Sequence, residues 1–149
     1  MKSFNLVSHF LKDFSFNSPN HPALFFPKND TSARIENNIN INIKKNEDNL
    51  YMVDILMKIH SILNKNSETI FSISIDYVGI VQLEHTEEKE MIEKILTVDV
   101  PQFLLPFINS FVLQLSNSGG FPPFLIQQID FEDLYKQRQE QKPIDFFNI

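Results

Sequence analysis

Phe71-Ser72-Ile73-Ser74-Ile75-Asp76-Tyr77 decides the architecture. Apolar and polar residues alternate here without a break, the two-residue period of a strand with one dry and one wet face. The same pattern repeats upstream. Before a turn at Asn64–Ser67, Tyr51, Val53, Ile55, Met57 and Ile59 alternate with Asp54, Lys58 and His60. Before a polar turn at Lys44–Asn49, Ile39, Ile41 and Ile43 alternate with Asn40 and Asn42. Turns this short join antiparallel neighbours, so these three strands are expected side by side with one polar face. A first strand is read in Phe4, Leu6, Phe10, Phe14 and Phe16, all even positions expected on one face, with Ser8 and Lys12 as exceptions. Pro19-Asn20-His21-Pro22 ends it, because proline cannot donate to a ladder. Residues 23–34, carrying Leu24, Phe25 and Phe26, are expected to form an irregular link.

Downstream the period changes to that of helices. Thr86 is the expected N-cap of a first helix, with Glu87, Glu88 and Glu90 in its first turn and Met91, Ile92, Ile95 and Leu96 as its buried stripe. Pro101 fits the first turn of a second helix, which Gly119 or Gly120 ends. Phe103, Leu104, Phe107, Ile108, Phe111, Val112 and Leu115 recur there at spacings of three and four. Pro106 sits early enough in it to cost little more than a kink. Asp130 is expected to cap a last, short helix whose apolar side is Phe131, Leu134 and Tyr135. Beyond Lys136 the chain turns polar. The domain is therefore placed at 1–140 and a mobile tail at 141–149.

A chain of 149 residues is one domain, long enough to fold without staples. It has no cysteine, which excludes a disulfide scaffold, thiolate metal sites and a thiol nucleophile. With 13 Lys+Arg against 19 Asp+Glu the net charge is −6, so a nucleic-acid partner is not expected. The four histidines sit in no metal-ligand spacing, no serine stands in a nucleophile elbow, and Gly119-Gly120 lacks the Lys-Ser/Thr of a phosphate loop. Neither an enzyme nor a cofactor is expected. Val100–Ile129 is long and uncharged, but polar residues, two glycines and four prolines interrupt it, and Met1–Phe16 lacks the apolar core of a secretory signal. A soluble cytoplasmic protein without membrane insertion is expected.

Two features ask for a partner. The segment from Gly119 to Ile129 reads as a loop, yet it carries Phe121, Phe124, Leu125, Ile126 and Ile129 and no charge. Burying each such side chain is worth about 1.5–3 kcal/mol, so something must cover them. The polar side of the preceding helix offers Asn109, Ser110, Gln114 and Asn117, also without charge, which points to burial between subunits. From the residues alone, the loop is closed on its own protein or a second subunit, or it receives a hydrophobic ligand.

The residues also carry a resemblance. Lys12-Asp13-Phe14-Ser15-Phe16-Asn17-Ser18-Pro19-Asn20-His21-Pro22, Phe71 through Ile80, and Val100-Pro101 through Tyr135 are similar to the SecB family of protein-export chaperones. The resemblance implies an α+β fold, a four-stranded antiparallel sheet with a long helix and short flanking helices. It implies assembly as a homotetramer, a dimer of dimers with the long helices between two sheets. It implies a chaperone that holds unfolded precursor proteins in a hydrophobic groove and delivers them to the SecA motor ATPase. By the same resemblance Phe25, Phe26, Ile39, Ile41, Ile43, Phe71, Phe121, Pro122, Phe124, Leu125 and Ile126 line the groove. Asp13, Asn17, Ser72, Ser74 and Asp76 stand on the motor-docking face, where Asn17, Ser72 and Ser74 replace the usual acidic or apolar residues. The alternative is an oligomeric hydrophobic-ligand-binding or structural protein with the Phe-rich loop closed.

Overall fold

The computed structural model describes residues 4–19, 32–47, 49–84, 88–121, 126 and 129–141, with 139–141 by their backbone alone. Four antiparallel strands, β1 (Asn5–Asn17), β2 (Ala33–Lys45), β3 (Leu50–Leu63) and β4 (Thr69–Gln82), form one sheet in the order β1–β4–β3–β2. The alternation read from the sequence sets its two faces. Val53, Ile55, Met57 and Ile59 of β3 and Ile73, Ile75 and Tyr77 of β4 all point to one side and are buried. The turns fall where they are expected. Asn49 (φ 59°) and Ser67 (φ 61°) adopt the left-handed conformation that closes them, one that asparagine tolerates better than serine.

β2 is longer than its isoleucine pattern. It starts at Ala33, inside the expected irregular link, because every residue from Ala33 to Lys45 finds a partner along β3. Pairing with a strong neighbour overrides the poor strand propensity of the asparagines. β1 departs further. Its ladder to β4 shifts register between Leu6 and Ser8 and again between Leu11 and Asp13, one extra residue each time. Each shift flips the pleat. The even-numbered phenylalanines therefore do not share a face. Phe10 pairs with Val78 on the outer side and is exposed, whereas His9 and Leu11 pair with Gly79 and Tyr77 on the helix side.

One helical run crosses the dry face: α1 (Lys89–Lys94), a π-helical turn (Ile95–Asp99) and α2 (Val100–Ser118). Glu88 is the N-cap and makes no side-chain cap hydrogen bond; the expected cap, Thr86, and Glu87 lie outside the described residues. Pro101 does not open a separate helix. The wider π turn lies directly before it, where a regular turn would set the proline ring against the carbonyl of Thr97. The expected stripe divides accordingly: Ile95 and Leu96 of the π turn are buried, whereas Met91 and Ile92 of α1 are half-buried. The Thr97 hydroxyl, also buried, donates to the Glu93 carbonyl at 2.6 Å. Gly119 caps α2 and Gly120 takes φ 85°. α3 (Phe131–Gln141) is capped as expected, the Asp133 N–H donating to Asp130 Oδ1 at 3.0 Å. It runs on through the polar stretch, to the first residue assigned to the tail, because Phe131 and Tyr135 are buried against the core. Residues 142–149 lie outside the described residues.

Leu104, Ile108 and Val112 of α2 are fully buried. The helix packs on β4 over Gly79, where a β carbon would sit 2.9 Å from Leu104 Cδ1. Leu6 Cδ1 and Val100 Cγ1 stand 3.7 and 3.8 Å from the same point, so a branched side chain there meets three neighbours at once. Gly79→Val should therefore overpack this crossing and cost roughly 1–3 kcal/mol, read as a lower denaturant midpoint with an unchanged slope.

Candidate functional site

A cleft of about 400 Å³ opens beside β2, whose outer edge pairs with no strand among the described residues. Asn37, Asn38 and Ile39 of β2 and Met57 of β3 form one side; Ile129, Asp130, Asp133 and Leu134 form the other. Ile39 and Met57 are direct partners in the β2–β3 ladder, so the strand register places two apolar side chains together on its floor. Ile129 and Leu134 close it from the start of α3. The two acids on the rim are held locally: Asp130 caps α3, and Asp133 Oδ2 accepts from Gln137 Nε2 at 3.1 Å. The cleft thus joins an apolar floor to an amide and carboxylate rim. It can bury apolar side chains of an extended polypeptide.

α3 forms the wall of this cleft and is fixed by three polar contacts as well as by Phe131 and Tyr135. The Tyr135 hydroxyl donates to Glu93 Oε2 at 3.3 Å; burial, reinforced by the Glu93 carboxylate, pushes the phenol up to about 12. Lys94 pairs with Glu132 at 3.2 Å. Arg138 Nη1 donates to the Ile41 carbonyl at 3.3 Å, which ties the far end of α3 to β2.

The expected groove residues separate into groups. Ile39 lines the cleft, and Ile41 beside it is half-buried. Ile43, Phe71 and Ile126 are buried within the protomer and present no open wall. Phe71 is covered by the rings of Phe121 (4.8 Å between centroids) and Phe16 (6.0 Å). Ile126 is drawn in as its N–H donates to Asn109 Oδ1 at 3.0 Å, so Asn109 holds Ile126 and is not part of a free polar face. Phe121 is half-buried in that ring cluster. Phe25, Phe26, Pro122, Phe124 and Leu125 lie outside the described residues. Met57, Asn37, Asn38, Ile129, Asp130, Asp133 and Leu134 were not among the expected set. Pairing the odd positions of the second and third strands would have found Met57, since it stands opposite Ile39.

Two further surfaces are set by the same sheet. On α2, Phe103, Phe107 and Leu113 are 45%, 38% and 37% exposed, and Ser110, Gln114 and Asn117 around them add no charge. Phe14 of β1, 53% exposed, stands on the same side of the sheet as α2, opposite Ile75. His9 lies under Phe107 (4.5 Å between rings) and hydrogen-bonds the Tyr77 hydroxyl at 2.6 Å. On the outer side of the sheet, the β1–β4 register brings Asp13, Asn17, Ser72, Ser74 and Asp76 onto one face, Asp13 opposite Asp76 and Asn17 opposite Ser72. Among the described residues no group of three or more His, Asp or Glu is placed to hold a metal ion. Lys89–Ser118 has the length and apolarity to cross a bilayer, but it is the helix that covers the sheet.

The family of preprotein translocase subunit SecB matches residues 1–142. The protein-export protein SecB of Methylocella silvestris is 32% identical over 139 residues, 93% of this chain and 84% of the relative. That of Bartonella quintana is 32% identical over 141 residues, 93% of this chain and 87% of the relative. Among solved structures, a SecB-like chaperone of Mycobacterium tuberculosis in complex with an antitoxin peptide shares the fold. Its TM-score is 0.68 and its identity 11%, over 85% of this chain and 90% of that one.

Removing the hydroxyl that links α3 to α1 tests how the cleft wall is held. Tyr135→Phe should cost roughly 0.5–1.5 kcal/mol of α3 docking. Native-state hydrogen exchange should show α3 amides opening up to about tenfold more often while β3 and β4 amides keep their protection.

Proposed function

The chain belongs to the SecB family, and from that premise we propose that its protomers hold unfolded precursor proteins along the cleft between β2 and α3 and hand them to the SecA motor. It is a protein-export chaperone and not an enzyme. The observation that carries the client site is the cleft lined by Ile39, Ile129 and Leu134 beside the edge of β2, over a Met57 that is itself buried. A client strand lying there gains apolar burial and can add main-chain hydrogen bonds along the edge of β2, whose Ile41 carbonyl is already held by Arg138. Such contacts discriminate poorly between sequences. The selection for unfolded clients comes from their exposing apolar segments at all.

The working unit is a homotetramer, a dimer of dimers, in the cytoplasm. What supports assembly is the uncharged, exposed face of α2 with Phe14 beside it; a lone protomer would leave these rings in water. The outer sheet face is the SecA-docking surface. Its supports are the shared face of Asp13 and Asp76 and the net charge of −6, which attract a basic segment of the motor.

A reductively unfolded client should co-elute with the protein in size-exclusion chromatography, and its native form should not; passage of both forms unbound would sink the chaperone assignment of this cleft. Leu134→Asp should weaken capture roughly tenfold to a hundredfold, the worth of one buried apolar side chain, with the native mass unchanged. Phe107→Asp should instead lower the native mass measured by light scattering, because it places a charge in the subunit contact.

A further inference from the structure

On the outer face of the sheet, Asp54 of β3 and Asp76 of β4 stand diagonally across the ladder, Asp54 opposite Val78 and Asp76 opposite Leu56. Both side chains are largely covered, 14% and 20% exposed. Each turns one oxygen to Lys12, whose Nζ lies 3.6 Å from Asp54 Oδ2 and 3.9 Å from Asp76 Oδ2. Lys12 is the extra residue at the second register shift of β1. The remaining oxygens, Oδ1 of each, are buried and meet no donor among the described residues. Both carboxyls reach the same ammonium group, and a hydrogen bond between them would give the orphaned oxygens a partner. Two ionised carboxylates cannot make that bond, because each only accepts. One proton between them supplies the missing donor, and the pair then carries a single negative charge against the single positive charge of Lys12.

We propose that Asp54 and Asp76 share one proton, and that this proton is a switch on the outer face, expelled when a cationic segment docks beside Asp13. The inference rests on the reading of this face as the docking surface for a basic partner. Of the five docking positions there, Asp13 and Asp76 alone are acidic, so the proton governs one acid of two.

The surroundings favour it. Asp76 is raised from 3.8 to about 6, first by burial, then by its hydrogen bond to and the charge of Asp54, with Lys12 opposing and Asp13 adding to the rise. From the other strands, Asn42 of β2 stands opposite Asp54, and Lys44 of β2 and Lys58 of β3 occupy nearby register positions on the same face. Between about pH 4 and 6 the native state binds the proton and the unfolded chain does not, so this proton's contribution to stability is full below about pH 4 and lost as pH rises through about 6. A docked cation acts in the opposite sense by favouring the doubly ionised pair.

Carboxyl-carbon NMR on the full chain tests the shared proton directly. One step with a midpoint near pH 6 is expected; it should disappear in Asp76→Asn and move upward in Lys12→Met, which removes the opposing cation. Ordinary titration of both groups below about pH 4.5 would overturn the shared proton. Calorimetry with an oligolysine peptide, in buffers of different ionisation enthalpy, tests the coupling. Near pH 6 binding should release up to one proton, and Asp76→Asn should release none. Binding without proton release overturns the switch while leaving the docking surface standing. A peptide that fails to bind at any pH overturns the docking reading and the coupling together, and the carboxyl titration then decides the shared proton alone.

Discussion

A single helical run must seal the dry face of a four-stranded sheet, and it is too narrow to do so. Strands about 4.8 Å apart give a sheet roughly 15 Å across, whereas a helix with its side chains is about 10 Å wide. α2 covers the two central strands, and β3 and β4 are accordingly the best buried elements. What remains uncovered lies on either side. Next to β2, Ile39 faces α3 across a cleft that no described residue fills, over the buried Met57. Next to β1 the rings of Phe14, Phe103 and Phe107 look outward. The proposed client cleft and the proposed subunit contact both draw on this one shortfall.

How much of this was legible in the sequence depended on whether the controlling interaction was local. The strands β3 and β4 could be read because the pleat repeats every second residue, and a single face is dry. The cap of α3 could be read because Asp130 and Asp133 are three residues apart. β1 could not, since nothing in its own pattern marks the two extra residues that reverse its faces; the bulges are defined only against β4. The continuity of α1 with α2 was hidden by Pro101, whose usual meaning at a helix start is overridden by the π turn before it. The cleft was half legible. Ile39 stood out in an alternating strand, but the wall facing it comes from residues some ninety positions later, and only the folded chain brings them together.

The two faces of the sheet divide the chemistry. The helix side is apolar and stays close to the protein's own core, so its open regions suit greasy, unspecific contact. The outer side carries its charge on few residues. Asp54 and Asp76 both stand within 4 Å of Lys12, and burial together with Asp54 raises Asp76 above the usual carboxylate range, whereas the other face offers apolar area. The proposed client contact on one side and the proposed motor contact on the other would therefore respond to salt very differently.

The π turn at Ile95–Asp99 has a consequence for how the chain can change over time. It is one residue wider than an ordinary turn, and so it sets the phase between the N-terminal stub of the helix and everything after it. Losing a single residue there would restore a uniform spiral and swing the stub by about 100°. Glu93 and Lys94 would then face away from Tyr135 and Glu132, and α3 would lose its moorings although none of its own residues had altered. Length in this short stretch is thus under tighter constraint than chemical identity, and a gap there would be a more telling sign of a rebuilt cleft than any exchange of side chains.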